Sequence, residues 1–185
     1  SYFRARDMGV EQGRVFSEQE ADRGVPLVVI GHPAVLPKKI AAGAQFVHRY
    51  AMLGMGTRMH AAISANAGSY MFATPEVEWP FGVAGSPGGE FSFARAFASP
   101  LVVLLGSADN DPGHPSLPHQ PAADLQGPHR FARGQNFYAQ ARSAATKSKL
   151  QFQWSCVIAP GVAHENGKMA AFAAAIITSP TAVRP

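Results

Sequence analysis

The chain is nearly free of cysteine and poor in charge. One cysteine, Cys156, stands among 185 residues, which excludes an internal disulfide framework. It lies inside an expected strand and reads as a small buried hydrophobe. No run approaches the ~20 apolar residues of a membrane-spanning helix. Residues 1–9 carry Arg4, Arg6 and Asp7 and lack an apolar core, so no secretory signal is read there. Charged residues make up 15% of the chain, and 16 Lys plus Arg against 12 Asp plus Glu leave a formal charge of +4. The basic residues are scattered and form no stripe along a phosphate backbone. The aromatics show no pattern for stacking bases, so no nucleic-acid partner is expected. There are seven histidines, but none form a His-x-x-x-His pair. His114, His119 and His129 lie in a Pro-rich loop without a cysteine or dense carboxylates nearby, so no metal is expected. Gly85-Ser86-Pro87-Gly88-Gly89 follows no strand and lacks the Gly-Lys-Ser/Thr ending of a phosphate loop. No cofactor is expected.

What remains is a globular composition, 46% hydrophobic with 18 Gly and 15 Pro. It is long enough for one domain with a core and many loops. Pro26–Gly31 is a continuous apolar run, as in a strand covered on both faces. Residues 40–53 read as a helix, with Phe46, Tyr50 and Leu53 on its apolar face and Ala42 one turn earlier. Residues 61–65 form a weaker strand, and 101–105 the strongest. A helix over 133–148 turns Phe137, Ala141 and Ala144 inward. A strand over 152–158 and a helix over 168–177 complete the pattern. Strands alternating with helices predict an α/β fold, a mostly parallel sheet with helices on both faces. The domain is expected over 26–180, after an N-terminal segment, 1–25, that gives no clear pattern. Residues 71–97 form a long excursion holding Phe72, Trp79, Phe81, Phe91 and Phe93. Loops of that length usually have a task; walling an apolar ligand and covering a sheet edge fit equally well.

In parallel sheets of this kind the ligand sits beyond the carboxyl ends of the strands. His32, Asn66, Asp109 and His164 all fall at such ends. Asp109 and His164 follow the last two strands, which are expected to be neighbours. A carboxylate beside an imidazole fixes its tautomer and stabilises the imidazolium formed in acyl transfer. Acid then histidine, late in an α/β chain, matches the order of the serine hydrolases of that class. Asp111 is an alternative acid, and Asp109–Pro112 also reads plainly as a turn. The nucleophile is missing. A Gly-x-Ser-x-Gly elbow needs a serine between a strand and a helix. Ala41 stands two residues before Gly43 in that place, and Pro33 takes the serine place in Gly31-His32-Pro33-Ala34.

The run Ala41-Ala42-Gly43-Ala44-Gln45-Phe46-Val47-His48-Arg49 resembles the Ser-Ala-Gly-Gly-Gln-Phe-Val-His-Arg segment of bacterial α/β-hydrolases similar to poly(3-hydroxybutyrate) depolymerases and related esterases. Ala65–Tyr70, Trp79-Pro80-Phe81-Gly82, Leu104–Asp109, Gln126-Gly127, Arg130–Tyr138, Phe152-Gln153-Trp154 and Pro160–His164 resemble later pieces of the same family. The resemblance runs over about 41–175 and implies an α/β-hydrolase-type fold acting on small esters or polyesters. It implies Asp109 as acid, His164 as base and Ala41 at the nucleophile position. The Ala42 N–H becomes one oxyanion donor. Asn66, Tyr70, Trp79 and Phe81 are the expected substrate-pocket residues. Two departures stand out. Alanine cannot attack a carbonyl, and only forty residues precede position 41, where the family usually has a longer segment bearing the early strands and the oxyanion loop. The fold is therefore expected to be truncated at its N-terminal side and the chain inactive as written. An exchange of serine for alanine, a natural fragment or degenerate copy, and a first forty residues that do not represent the native start each account for this. The alternative is a non-catalytic binding or structural protein. A half-sheet would leave a strand edge open and invite an oligomer.

Overall fold

A computed structural model describes residues 27–31, 43–54, 59–87 and 89–178. Among these residues four strands form one sheet: β1 (Leu27–Gly31), β2 (Met59–Ala65), β3 (Leu101–Gly106) and β4 (Ser155–Ala159). Their order is β1-β2-β3-β4, and every pairing is parallel. The helices are α1 (Gly43–Met52), α2 (Phe93–Phe97), α3 (Pro121–Asp124), α4 (Arg130–Lys147) and α5 (Asn166–Thr178). Residues 1–25, expected as a separate segment, lie outside the described residues, as does His32.

The pleat sorts the side chains into two cores. Ala62, Leu101, Val103 and Leu105 face one side, where α1, α2 and α4 supply Val47, Met52, Phe97, Phe137 and Ala141. Ile63, Ala65, Val102 and Leu104 face the other, where α5 supplies Met169, Ala173 and Ile176. β3 is buried along its whole length, which is why its sequence reads Leu-Val-Val-Leu-Leu with no polar alternation. β4 ends the sheet among the described strands and exposes Ile158, at 47%.

Three local expectations are corrected. The buried face of α1 is Ala44, Val47, His48, Ala51 and Met52, not the face of Phe46 and Tyr50. Small residues let the helix approach the sheet closely. Phe46 stays 44% exposed and stacks on Tyr50 at 5.6 Å. Cys156 is half-buried, because it belongs to an edge strand. β4 also begins at Ser155, since Phe152 and Trp154 join an aromatic cluster with Phe97 instead of a ladder. The Trp154 indole N–H donates to the Ala96 carbonyl at 2.8 Å.

The excursion 71–97 is not structureless. It holds a bridge between Glu78 and Ala84, a cis Trp79–Pro80 bond and α2. Arg49 of α1 lies over the Trp79 ring, 5.3 Å from its centroid, and donates to the Pro80 carbonyl. Burial draws the Arg49 pKa down to about 10.

Candidate active site

The carboxyl ends of β2, β3 and β4 converge, and side chains lash them together. Asn66 follows β2 with φ 49°, a left-handed conformation that asparagine tolerates. Its Oδ1 accepts from the Gly106 N–H at 2.8 Å, and its Nδ2 donates to the Ala163 carbonyl at 3.2 Å. One buried amide thus ties β2 to the end of β3 and to the loop after β4. The Ala108 N–H donates to the Val162 carbonyl at 3.0 Å, and the Gly161 N–H donates to Ser107 Oγ at 2.8 Å. Gly161 has φ +69°, which turns the chain sharply out of β4.

This lashing sets Asp109 against His164. The imidazole Nδ1 lies 2.9 Å from Asp109 Oδ2. A carboxylate accepts, so Nδ1 carries the proton and Nε2 presents a lone pair. The Asp109 side chain is 2% exposed and that of His164 14%. Arg130, from the first turn of α4, is buried beside them. Its Nη1 lies 3.4 Å from Asp109 Oδ1, and its Nη2 donates to Ser116 Oγ at 2.9 Å. Burial lowers the Arg130 pKa, and the Asp109 charge and hydrogen bond push it back. The His114 ring meets that of His164 edge-on, with centroids 5.2 Å apart. His114 Nδ1 accepts from the Ser116 N–H at 3.3 Å. Burial holds the His114 pKa below the ordinary histidine value, helped by Arg130 and His164 and opposed by Asp109 and Asp111.

A small cleft opens beside His164, lined by Ala44, Asn66, Ala67, Gly68, Ser116 and Arg130. Ala44 brings the start of α1 to this cleft. Ala41 and Ala42, the expected nucleophile position and oxyanion donor, lie outside the described residues. Asn66 lines the cleft, and both ends of its amide are engaged. Tyr70 does not line it. Tyr70 is fully buried and stacks on Phe137 at 4.6 Å, and burial raises its pKa. Its backbone N–H donates to Gln126 Oε1 and its carbonyl accepts from Gln126 Nε2. Trp79 and Phe81 are not among the cleft residues either. Trp79 serves Arg49 instead, and the Phe81 carbonyl accepts from the Phe72 N–H.

The run Arg130–Tyr138 has a physical explanation that its composition conceals. Arg130 reaches Asp109. Arg133 is fully buried and donates to the Gly127, Gly68 and Pro118 carbonyls and to Asp124. It joins the loop after β2 to the Pro-rich loop and to α3. A Cβ on Gly134 would stand 2.3 Å from Leu105 Cδ2, so glycine lets α4 lie close on β3. These arginines were missed as site residues. The available signal was their position: Arg130 and Arg133 precede Phe137 and Ala141 on the same helical face.

No protein-family model and no curated protein matches the chain. Solved structures do. Poly(aspartic acid) hydrolase-1 from Sphingomonas sp. KT-1 is 36% identical with a TM-score of 0.69, over 74% of this chain and 52% of that one. LpqC, the poly(3-hydroxybutyrate) depolymerase from Bordetella parapertussis, is 32% identical with a TM-score of 0.71, over 84% of this chain and 50% of that one. The chain spans about half the length of each. With its parallel sheet between helices, it has the α/β-hydrolase-type fold of these depolymerase-like hydrolases and a hydrolase ancestry.

Proposed function

We propose, from the premise that the chain has the fold of depolymerase-like α/β-hydrolases, that it derives from a serine hydrolase of carboxylic esters and keeps that enzyme's acid–base pair without its nucleophile. The fold alone does not carry this reading. The observation that carries it is the 2.9 Å contact between His164 Nδ1 and Asp109 Oδ2 at the mouth of a cleft. In the ancestral reaction His164 Nε2 takes the proton of the attacking hydroxyl and passes it to the leaving alcohol. Asp109 holds the tautomer and stabilises the imidazolium. Ala41 stands at the nucleophile position and Ala42 at one oxyanion donor, so no acyl-enzyme forms on this chain. Binding and residual oxyanion stabilisation survive the loss of the hydroxyl. The substrate class is a small ester or a polyester, in keeping with the depolymerase among its structural neighbours.

The test is turnover of a simple aryl ester by the chain and by its His164→Ala variant. Equal, background rates are expected. Turnover by the parent well above the variant sinks the claim of inactivity.

A second reading is a non-catalytic binding or structural protein. It is favoured by β4, one of the two edge strands among the described residues, which exposes Ile158. A second copy adding to that edge makes an oligomer, and sedimentation across concentrations distinguishes it from a monomer.

A further inference from the structure

We propose that Arg130 is the positioning residue of the Asp109–His164 pair, aiming the carboxylate at the imidazole and closing a ring of polar contacts around it. The inference rests on the reading of these two residues as the acid–base pair.

A carboxylate held by one partner can still rotate about its last torsion, which has a broad profile. Asp109 is held at both oxygens. Oδ2 faces His164 Nδ1, and Oδ1 faces Arg130 Nη1 at 3.4 Å. The backbone reinforces this, since the Phe131 N–H donates to the Asp109 carbonyl at 3.1 Å. The first turn of α4 therefore docks on Asp109 through both side chain and main chain. The other arm of the guanidinium continues the ring. Arg130 Nη2 donates to Ser116 Oγ at 2.9 Å, and that hydroxyl lies 3.2 Å from His114 Nδ1. His114 Nδ1 already accepts the Ser116 N–H, so it holds a lone pair and the hydroxyl donates to it. The His114 ring then returns to His164 edge-on. Both the acid below the imidazole and the ring beside it depend on one guanidinium.

A bare counter-charge for Asp109 could equally be a lysine. Spanning Asp109 and Ser116 together needs the planar fork of arginine. The variants separate the two roles. Arg130→Met removes both arms, Arg130→Lys keeps the charge without the span, and Ser116→Ala removes only the far arm.

The experiment reads the imidazole N–H protons of the nitrogen-15-labelled chain by NMR, with Ala41 in place. The parent is expected to show a slowly exchanging His164 Nδ1–H resonance that disappears in His164→Ala and in Asp109→Ala. Its solvent-exchange rate is expected to rise at least about tenfold in Arg130→Met, as for losing one hydrogen bond to a charged group. The rise is smaller, about threefold, in Ser116→Ala. Arg130→Lys is expected to recover only part of the loss. Exchange within twofold of the parent in both Arg130→Met and Ser116→Ala overturns the positioning role. A resonance that is absent in the parent, or that survives in Asp109→Ala, instead overturns the acid–base pair itself. If Arg130→Met loses its native amide spectrum, Ser116→Ala decides alone, because Ser116 is exposed.

Discussion

Replacing Gly106 by alanine pushes directly on the loop that carries His164. A Cβ at Gly106 would stand 2.3 Å from the Val162 carbonyl oxygen and 3.1 Å from Asn66 Nδ2. The obstacle is backbone, so no rotamer change relieves it. The loop must retreat by nearly an ångström, against the Ala108–Val162 and Asn66–Ala163 hydrogen bonds that hold it. Overpacking of this kind costs about 1–3 kcal/mol, and weakening the two hydrogen bonds adds roughly 1 kcal/mol each. Losing a glycine from the unfolded chain returns ~0.4–1 kcal/mol. The net is a destabilisation of about 2–5 kcal/mol. At about 2–4 °C per kcal/mol for a chain of this size, Tm falls by roughly 4–20 °C. Gly167→Ala is the matched control. Nothing lies within 4 Å of its added Cβ and it sits in α5, so it should be neutral or stabilise by up to ~1 kcal/mol. Thermal unfolding of the two variants is the assay. A Gly106→Ala chain that melts within about 1 °C of the parent refutes the close approach of β3 and the His164 loop, taking 2–4 °C per kcal/mol as the scale.

Arg133→Met leaves the Gly127, Gly68 and Pro118 carbonyls without their donor. The Asp124 partner is half exposed, so its ion pair is worth little, and the carbonyls dominate. Each buried acceptor left unsatisfied costs about 1–3 kcal/mol, so a loss of at least about 3 kcal/mol in urea unfolding is expected, and Arg133→Lys should recover little of it because one ammonium cannot span three carbonyls. A loss below ~1 kcal/mol contradicts the clamp, being no more than a single ordinary hydrogen bond. His48 makes stability depend on pH. It is fully buried, with Nδ1 donating to the Ala44 carbonyl and Nε2 accepting the Met71 N–H. Burial, then the Arg49 charge, lowers its pKa well below the ordinary value, opposed by the Ala44 hydrogen bond. The unfolded chain therefore takes up this proton first as pH falls through ~6.5. Stability is full above that value and drops by up to ~1.4 kcal/mol per pH unit below it, until the folded pKa is reached. Flat urea midpoints between pH 7.5 and 5.5 refute this.

Legibility followed burial of ordinary apolar side chains. β3 is a pure apolar run and was readable from sequence. So was Phe137–Ala141 on α4. The errors all involve polar or aromatic groups in unusual places. Phe46 and Tyr50 looked like the core of α1, but Ala44, Val47, His48, Ala51 and Met52 took that face. α2 was invisible because it is a single short stretch inside a Pro- and Gly-rich excursion. The candidate site was half legible. Asp109 and His164 were placed by strand ends, a rule of backbone topology. Arg130, Arg133 and Gln126 were not, because buried guanidinium and amide groups depend on partners distant in sequence, such as Gly68 and Tyr70. The burial of Tyr70 was hidden for the same reason: its neighbours are His48 and Phe137, which no local pattern links.

The most direct test of the central claim is to restore a hydroxyl at position 41. Aryl-ester turnover should be measured for Ala41→Ser, alone and combined with His164→Ala. The account predicts at least a hundredfold gain over the parent, since a missing triad nucleophile costs up to about a millionfold, and predicts that the gain vanishes when His164 is removed. No gain, or a gain indifferent to His164, contradicts it.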